Sequence, residues 1–251
     1  MKNPASNKVF GPFWGEFGWE VAQWAPYVNA ATQETDRVRC MPGHAELYGT
    51  DVPISQTYPR PSGATPDMMD PWAEGAGAGW APVWKPRIKL VKGVPCIDAK
   101  LLPMPLYPHC TATRRFVVLH CRGIAKCSER NMDGAKWEAL VELLQKADVL
   151  PVVIGSLEDH LPRHCQDRRG CTIDDTIGYM RMALVVVGAS SGPMHLAQAC
   201  EAPVVVWSGN AKKDKPRYED VWNHFDSPTT FVSPSWSPGV GKIMKAIEGF
   251  L

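Results

Sequence analysis

From Phe116 onward, short runs of apolar residues alternate with segments in which apolar residues recur every three or four positions. The runs predict buried strands and the wider spacing predicts amphipathic helices. The predicted strands are 116–120, 151–154, 184–187 and 204–207. The predicted helices are 136–146, 158–165, 176–183, 194–200 and 242–250. Strands that alternate with helices imply a parallel sheet covered on both faces, which is an α/β fold.

The beginning of the chain carries a weaker form of the same pattern. Residues 9–13 and 37–41 predict strands, and residues 21–31 have helical spacing, so the chain opens as a β-α-β unit. Residues 51–109 differ, because they hold nearly half of the 23 prolines, together with several tryptophans, in poor periodicity. We expect this segment to be irregular, partly packed and able to shape a binding face, with a disordered tract as the alternative. The change of composition near residue 110 predicts two domains, 1–110 and 111–251.

Composition limits the class of protein. The chain has 251 residues, 45% of them hydrophobic and 21% charged, with a formal net charge of +1. No apolar run approaches the roughly 20 residues that span a bilayer, and the first residues carry no secretory signal pattern, so we expect a cytoplasmic protein. The small net charge argues against capture of nucleic acid by overall charge, although a local basic groove at 85–92 or 114–115 stays possible.

The chain has eight cysteines, which suit a reducing compartment if they are free thiols. Cys165 and Cys171 lie near His160 and His164 in the sequence, so a zinc site is conceivable. No C-x-x-C pair occurs, however, and we expect buried thiols without a metal.

The turn GASSGPMH, from Gly188 to His195, joins a predicted strand to a predicted helix. Such a turn presents backbone N–H groups at a helix N-terminus, with Ser190 and Ser191 as predicted capping hydroxyls, and it is suited to binding a phosphate. Ligands of parallel sheets bind outside the carboxyl ends of the strands. The polar loops 121–130, 155–159 and 208–218 would meet at that edge, which predicts a ligand site.

Each of these loops supplies candidate ligand-binding residues. Arginine can bind a phosphate through two hydrogen bonds, lysine acts as a point charge, and a carboxylate can accept from ribose hydroxyls. The candidates are Arg122, Lys126, Arg130, Glu158, Ser190, Ser191, Gly192, Met194 and His195.

The chain contains neither a G-x-x-x-x-G-K-[ST] loop nor a G-x-G-x-x-G motif after a strand, which disfavours P-loop NTPases and classical NAD folds. Residues 116–209 instead resemble the donor domain of GT-B glycosyltransferases, particularly the heptosyltransferase-like glycosyltransferase family 9. SSGPMHLA matches the family's D-[ST]-G-x-x-H-L-A turn, and PVVVWSG matches the strand that follows it. Ser190 stands where the family usually has Asp, and this departure leaves the donor open. The resemblance implies two Rossmann-like domains with parallel sheets: a small, irregular acceptor-binding domain at 1–110 and a donor-binding domain at 111–251.

The segment GEFGWE, residues 15–20, resembles the opening of glycosyltransferases encoded in bacterial and phage genomes. Family 9 enzymes have a Gly-Asp pair at this place, and the Asp is the expected catalytic base. The resemblance implies that Glu16 is the general base with Glu20 next in line, that Gly15 lets the backbone approach the ligand, and that His195 reaches the phosphate or the reacting sugar. The alternative is that the two glutamates favour the positive end of a helix dipole.

The resemblance implies an inverting, metal-independent transfer of a sugar from a nucleoside diphosphate sugar. We expect the donor to be a UDP-sugar, and we expect no other cofactor. Arg122, Lys126 and the N–H groups of the turn would stabilise the departing diphosphate. The acceptor is a hydroxyl of either a glycan or a hydroxymethylated pyrimidine in phage DNA, so DNA modification in an infected cell is one hypothesis. A nucleotide-sugar epimerase of the same superfamily and a non-catalytic sugar-nucleotide or nucleic-acid binding module are the alternatives.

Overall fold

The computed structural model describes residues 9–10, 17–25, 28, 36–48, 54–56, 115–125, 127–216, 218–219, 223, 226–232 and 234–251. The chain divides into two compact units, Met1–Pro103 and Met104–Leu251. The domain boundary predicted near residue 110 lies outside the described residues.

The described part of the first unit contains a parallel sheet of three strands in the order β1-β2-β3. The strands are β1 (Val9–Phe10), β2 (Arg37–Cys40) and β3 (Ile54–Gln56). Helix α1 (Phe17–Trp19) continues as a π-helical turn (Glu20–Trp24), and a 3-10 turn (Ala45–Leu47) follows β2. The predicted β-α-β opening is therefore present, although its helix begins four residues earlier than the apolar spacing indicated.

The second unit is built on a six-stranded parallel sheet in the order β6-β5-β4-β7-β8-β9. The strands are β4 (Phe116–His120), β5 (Leu150–Gly155), β6 (Gln166–Arg169), β7 (Val186–Ala189), β8 (Val204–Trp207) and β9 (Thr229–Val232). In the register of the centre, Val118 of β4 lies opposite Val152 on one side and Val186 on the other. This is the strand order of a Rossmann sheet, and it confirms the predicted α/β class.

The described part of the second unit contains five α-helices: α2 (Gly134–Lys146), α3 (Ile173–Met182), α4 (Gly192–Ala199), α5 (Ala211–Pro216) and α6 (Val240–Glu248). Asp133 caps α2 by accepting the Ala135 N–H at 2.9 Å, and Thr172 caps α3 by accepting the Asp175 N–H at 3.0 Å. Both caps satisfy backbone donors that a helix start leaves open.

The main buried cluster lies between one face of this sheet and helices α2 and α6. Trp137 of α2 packs on Trp207 of β8 with ring centroids 5.6 Å apart. Alternate residues of the strands, such as Val118 and Val186, are also buried but lie outside this cluster, so they face the opposite side of the sheet. Helices α3 and α4, which contact each other, cover that side.

Some predicted elements differ from those observed. The helix predicted at 158–165 is wrong, because these residues form turns in which the Asp159 side chain holds Ser156 and His164 has a φ of 61°. Strands β3, β6 and β9 and helix α5 were not predicted. β3 lies in the segment 51–109, which was expected to be irregular and whose other residues lie outside the described ones. β6 has the polar sequence QDRR at the edge of the sheet, where burial imposes no apolar pattern.

Six of the cysteines lie among the described residues, and all six are free thiols. Cys40 in the first unit and Cys121 and Cys200 in the second are buried. In the part of the chain that is described, no helix combines the length and the apolar character needed to cross a membrane.

Candidate functional site

The order of the six strands reverses between β4 and β7, which lie side by side at the centre of the sheet. The connections after these two strands leave in opposite directions and open a crevice at their carboxyl ends. His120 ends β4 and Ala189 ends β7. The loop carrying Arg122 and the turn carrying Ser191 therefore border the crevice in which such sheets bind ligands.

The turn after β7 offers fewer backbone donors than its sequence suggested. The Ser190 N–H donates to the Trp207 carbonyl, at the end of β8, at 2.8 Å. The Met194 N–H donates to the Ser191 carbonyl at 3.1 Å, and Pro193 has no N–H group. Among the hydrogen bonds of the described residues, the Gly192 N–H has no acceptor in this turn. A ligand anion at this helix N-terminus would meet the Gly192 donor and the positive end of the dipole.

Ser191 occupies the N-cap position of α4, but its hydroxyl makes no capping hydrogen bond. The Oγ atom donates instead to the Ala189 carbonyl at 2.8 Å and lies 3.1 Å from His120 Nδ1. The prediction that both serine hydroxyls cap the helix is therefore wrong for Ser191. Its hydroxyl connects the turn after β7 to the end of β4.

Tyr218 is fully buried against the start of α4. Its hydroxyl donates to Ser190 Oγ at 3.1 Å and accepts the Ser191 N–H, and its ring stacks on His195 with centroids 4.8 Å apart. Burial raises the pKa of Tyr218 well above its usual value, while Ser190, Ser191 and the charge of Arg130 act in the opposite direction. Tyr218 is therefore a neutral phenol at the helix N-terminus, and the Arg130 charge acts on its hydroxyl.

His195 lies inside the first turn of α4 and is 7% exposed. Its Nε2 atom is 3.4 Å from the Tyr218 hydroxyl. Burial lowers the pKa of His195 to about 3, against the smaller opposite effect of a hydrogen bond with Gln198. The ring is therefore neutral near pH 7 and supplies a dipole rather than a charge.

Two arginines lie on the loop after β4. Arg122 is 8% exposed, and its Nη1 donates to the Cys127 carbonyl at 3.0 Å and to Asn131 Oδ1. Burial and then the neighbouring Arg130 guanidinium lower the pKa of Arg122. Two guanidinium groups that disfavour each other would both be stabilised by an anion placed near them.

Asp159 fastens the loop after β5 to the loop after β4. Its Oδ1 accepts the Gly123 N–H at 2.9 Å, and its Oδ2 accepts the Ser156 N–H at 2.7 Å and lies 3.6 Å from His120 Nε2. Gly155 beside it has a φ of +124°, and a Cβ atom there would overlap Asp159 Oδ2. The strands thus end in a rigid frame, in which a chain of polar contacts runs from Asp159 through His120 to Ser191.

The loop after β8 is closed in a similar way. Ser208 Oγ donates to Asp214 Oδ2 and accepts the Asn210 N–H at 3.0 Å, which fixes the start of α5. Gly209 lies directly against the Trp236 ring, over which the Arg130 guanidinium is placed 5.2 Å from the centroid. Arg130 is therefore held between the loops after β4 and β9.

The second unit brings most of the predicted ligand residues to one edge of its sheet. Arg122, Arg130, Ser190, Ser191, Gly192 and His195 lie on the two connections that border the crevice. Glu158 is exposed on the loop after β5. Met194 is fully buried and its sulfur packs against Gly188, so it lies behind the turn. Gly15, Glu16 and Lys126 lie outside the described residues.

The first unit places Glu20 in the π-helical turn, where it is 1% exposed. Its Oε2 accepts from His44 Nδ1 and its Oε1 accepts from the Tyr48 hydroxyl, both at 2.7 Å. Burial, followed by the charge of Glu20, raises the pKa of Tyr48 well above its usual value. Tyr48 therefore remains a neutral donor to this carboxylate.

Sequence reasoning missed His120, Asp159 and Tyr218 at the second unit's edge. His120 was included in a strand, Asp159 in a helix that does not form, and Tyr218 in a cationic loop. The available signal was the rule that the residue ending each parallel strand faces the crevice, which applies directly to His120. Within the described ranges, no three His, Cys, Asp or Glu side chains come together in a group that could hold a metal ion.

No protein-family model matches the chain, and no curated protein sequence matches it either. Solved structures do match. The ADP-heptose LPS heptosyltransferase II of E. coli is 14% identical, with a TM-score of 0.61 over 98% of each chain. A glycosyltransferase family 9 protein of Veillonella parvula is 10% identical, with a TM-score of 0.64 over 97% of each chain. The iron-containing heptosyltransferase TibC, solved with ADP-D-β-D-heptose, is 13% identical, with a TM-score of 0.52 over 90% of this chain and 62% of its own. The chain therefore shares the α/β fold of these GT-B-like glycosyltransferases.

Proposed function

We propose that the protein is a glycosyltransferase that moves a sugar from a nucleoside diphosphate sugar to an acceptor hydroxyl. One observation carries the proposal. The loop after β4 carries two neighbouring guanidinium groups, Arg122 and Arg130, and β4 ends in contact with the turn that begins α4, at the point where the strand order reverses. The fold shared with a family 9 protein and a heptosyltransferase over nearly the whole chain supports it.

The diphosphate of the donor would bind between these cations and the start of α4. Arg130 is partly exposed and can turn toward a ligand, whereas Arg122 shapes the loop from within. Gly192 would donate its N–H, and Ser190 and Ser191 would border the ligand. The exposed carboxylate of Glu158 would accept from the ribose hydroxyls.

Charge that develops on the leaving diphosphate would be stabilised by the two arginines, by Lys126 and by the dipole of α4. Neutral His195 and Tyr218 would add oriented dipoles without competing for protons. In this mechanism the acceptor oxygen attacks the anomeric carbon from the face opposite the diphosphate, so the configuration inverts. Protein groups supply the stabilisation of the diphosphate, and the proposal assigns no metal to that step.

The reaction also needs a group that takes the proton of the acceptor hydroxyl. The resemblance to family 9 proposes Glu16 for this role and Glu20 next. Glu20 has both oxygens engaged and is shut off from solvent, which favours an indirect part in proton transfer.

Two choices remain within the proposal. The UDP-sugar expected from the sequence competes with an ADP-sugar, because ADP-heptose appears in the names of two structures with this fold. One of those names is that of an LPS heptosyltransferase, which favours a glycan as the acceptor here. A hydroxymethylated pyrimidine in DNA is the second acceptor to test.

The test is release of nucleoside diphosphate from a panel of UDP- and ADP-sugars, with lipopolysaccharide core glycans, with hydroxymethylated DNA, and with neither. Arg130→Ala should reduce release at least tenfold, since it removes a cation from the diphosphate. Arg163→Ala is the matched control, because Arg163 is an exposed arginine that pairs with Glu138 of α2. Absence of release from every donor, or equal loss in both variants, would refute the proposal.

A further inference from the structure

We propose that His44, oriented by Glu20, is the residue that takes the proton of the acceptor hydroxyl. This inference rests on the proposed function and assigns to His44 the proton-accepting role that the resemblance gives to Glu16. It gives the catalytic role to a histidine that neither the sequence pattern nor the resemblance singled out, and it makes Glu20 a positioning residue.

The geometry of Glu20 excludes it from direct contact with an acceptor. The side chain is buried, and each carboxylate oxygen already accepts a hydrogen bond at 2.7 Å, one from His44 Nδ1 and one from the Tyr48 hydroxyl. A buried carboxylate in this arrangement orients its donors and stabilises positive charge on the imidazole next to it.

His44 is the member of this cluster that reaches solvent. Its side chain is 22% exposed, compared with 2% for that of Glu20. Donation from Nδ1 to Glu20 leaves the lone pair of the neutral ring on Nε2, and Nε2 makes no hydrogen bond to any described residue. The ring is held from the side by Phe17, whose centroid is 5.4 Å away in an edge-on arrangement. Among the described residues, Glu20 and Phe17 therefore hold the ring, and Nε2 is the ring nitrogen that none of them engages.

The position in the fold is also that of a ligand site. His44 follows β2 after a short turn, and Glu20 lies in the helix that follows β1, so both stand at the carboxyl edge of the three-stranded parallel sheet. Glu20 begins a π-helical turn, and such turns are frequent at functional sites.

Nε2 of His44 takes the acceptor proton while the acceptor oxygen forms its bond to the anomeric carbon. The bond from that carbon to the diphosphate oxygen breaks, and its electron pair leaves with the nucleoside diphosphate. The imidazolium, paired with Glu20, then returns its proton to water.

The decisive variant is His44→Asn, because an Asn amide can still donate to Glu20 but carries no basic nitrogen. We expect kcat with donor and acceptor to fall at least about 100-fold, with the KM for the donor and the Kd for the nucleotide unchanged. Glu20→Gln should shift the acidic limb of the kcat profile and lower kcat less. His164→Asn is the control, because His164 is an exposed histidine of the second unit with a φ of 61°, which Asn tolerates.

A second measurement does not depend on turnover. In ¹⁵N-histidine-labelled wild-type protein, neutral His44 should carry its proton on Nδ1, and Glu20→Gln should weaken that preference. If the NMR spectra show neutral His44 with its proton on Nε2, the inference is overturned. It is also overturned if His44→Asn keeps kcat within threefold of the wild-type value while Glu16→Gln is inactive. Those results leave the proposed function standing. A wild-type protein that releases nucleotide from no donor overturns the proposed function, and the role of His44 falls with it.

Discussion

The carboxylate of Asp159 lies 3.6 Å from Nε2 of His120 and joins the loop after β5 to the end of β4. The same carboxylate accepts the N–H groups of Gly123 and Ser156. Among the described residues, the Asp159 carboxylate makes no hydrogen bond to the side chain of a predicted ligand residue, yet it joins the loops that carry Arg122 and Glu158. The frame of the crevice therefore depends on one buried carboxylate.

We expect Asp159→Asn to make the protein less stable and to remove part of its acid sensitivity. Burial would raise the pKa of Asp159, but His120 and the N–H groups of Gly123 and Ser156 outweigh it, so the pKa lies at about 2 instead of 3.8. Because the folded-state pKa is the lower one, the stabilisation is complete above about pH 4 and is lost as the pH falls toward 2. The shift corresponds to about 2 kcal/mol.

Urea unfolding of wild type and Asp159→Asn between pH 2 and 7 checks this. Their stabilities should approach each other as the pH falls from about 4 toward 2. Asp148→Asn, at an exposed turn position with a φ of 55°, should change stability by less than about 0.5 kcal/mol. A constant difference between wild type and Asp159→Asn at all pH values would contradict the assignment.

Gly155→Ala should be among the most destabilising substitutions in the second unit. Gly155 has a φ of +124°, and an added Cβ would overlap Asp159 Oδ2 and come within 3.1 Å of the His120 ring. Backbone strain and overpacking together predict a loss of about 3 kcal/mol or more. Gly241→Ala in α6 meets no atom within 4 Å and should instead stabilise by about 0.5–1 kcal/mol. Thermal unfolding of both variants would refute the prediction if they changed in the same direction.

His195 should remain neutral throughout the range in which free histidine titrates. Burial lowers its pKa to about 3. The stability that neutral burial provides is complete above about pH 6.5, where the unfolded chain is also neutral, and it is lost as the pH falls from there toward 3. NMR titration of the histidine ring signals should show no change at His195 between pH 5 and 8. A midpoint in that range would contradict the buried placement.

Arg122→Lys and Arg130→Lys keep the same charge on the same loop but should behave differently. Arg122 donates two hydrogen bonds inside the loop, so its replacement should lower stability by about 1.5–3 kcal/mol and weaken ADP or UDP binding about tenfold. Arg130 is partly exposed and stacks on Trp236, so its replacement should cost less than about 1 kcal/mol of stability. Differential scanning calorimetry and nucleotide titration separate the two effects. Equal losses of stability would show that the loop is not held by Arg122.

The apolar pattern predicted the centre of the second unit well, because β4, β5, β7 and β8 are buried on both faces and therefore read as apolar runs. It could not predict β6, whose QDRR sequence lies at a sheet edge, or β9, whose TTFV sequence is too short and too polar to stand out. The helix predicted at 158–165 does not form, because Pro162 inside this range has no backbone N–H and disfavours a helical residue before it, and because His164 has a φ of 61°.

The position of the candidate site followed from the parallel order of the strands, but its composition did not. Polar loops that follow consecutive strands must meet at one edge, which brought Arg122, Arg130 and the turn after β7 together. Which backbone donors remain for a ligand depends on hydrogen bonds between distant residues, such as that from the Tyr218 hydroxyl to Ser190. Contacts of this kind leave no local trace in a sequence.

The buried cysteines allow the opening of each unit to be followed by the reactivity of its own thiol. Burial, with the charges of Glu20 and Glu46, raises the pKa of Cys40 to about 11, and burial raises that of Cys200 to about 12. Neither thiol should react with an alkylating reagent until the chain around it opens, because the thiolate is the reactive form. The rates at which iodoacetamide modifies Cys40 and Cys200 in dilute urea would therefore time the opening of the two units separately, without any engineered label.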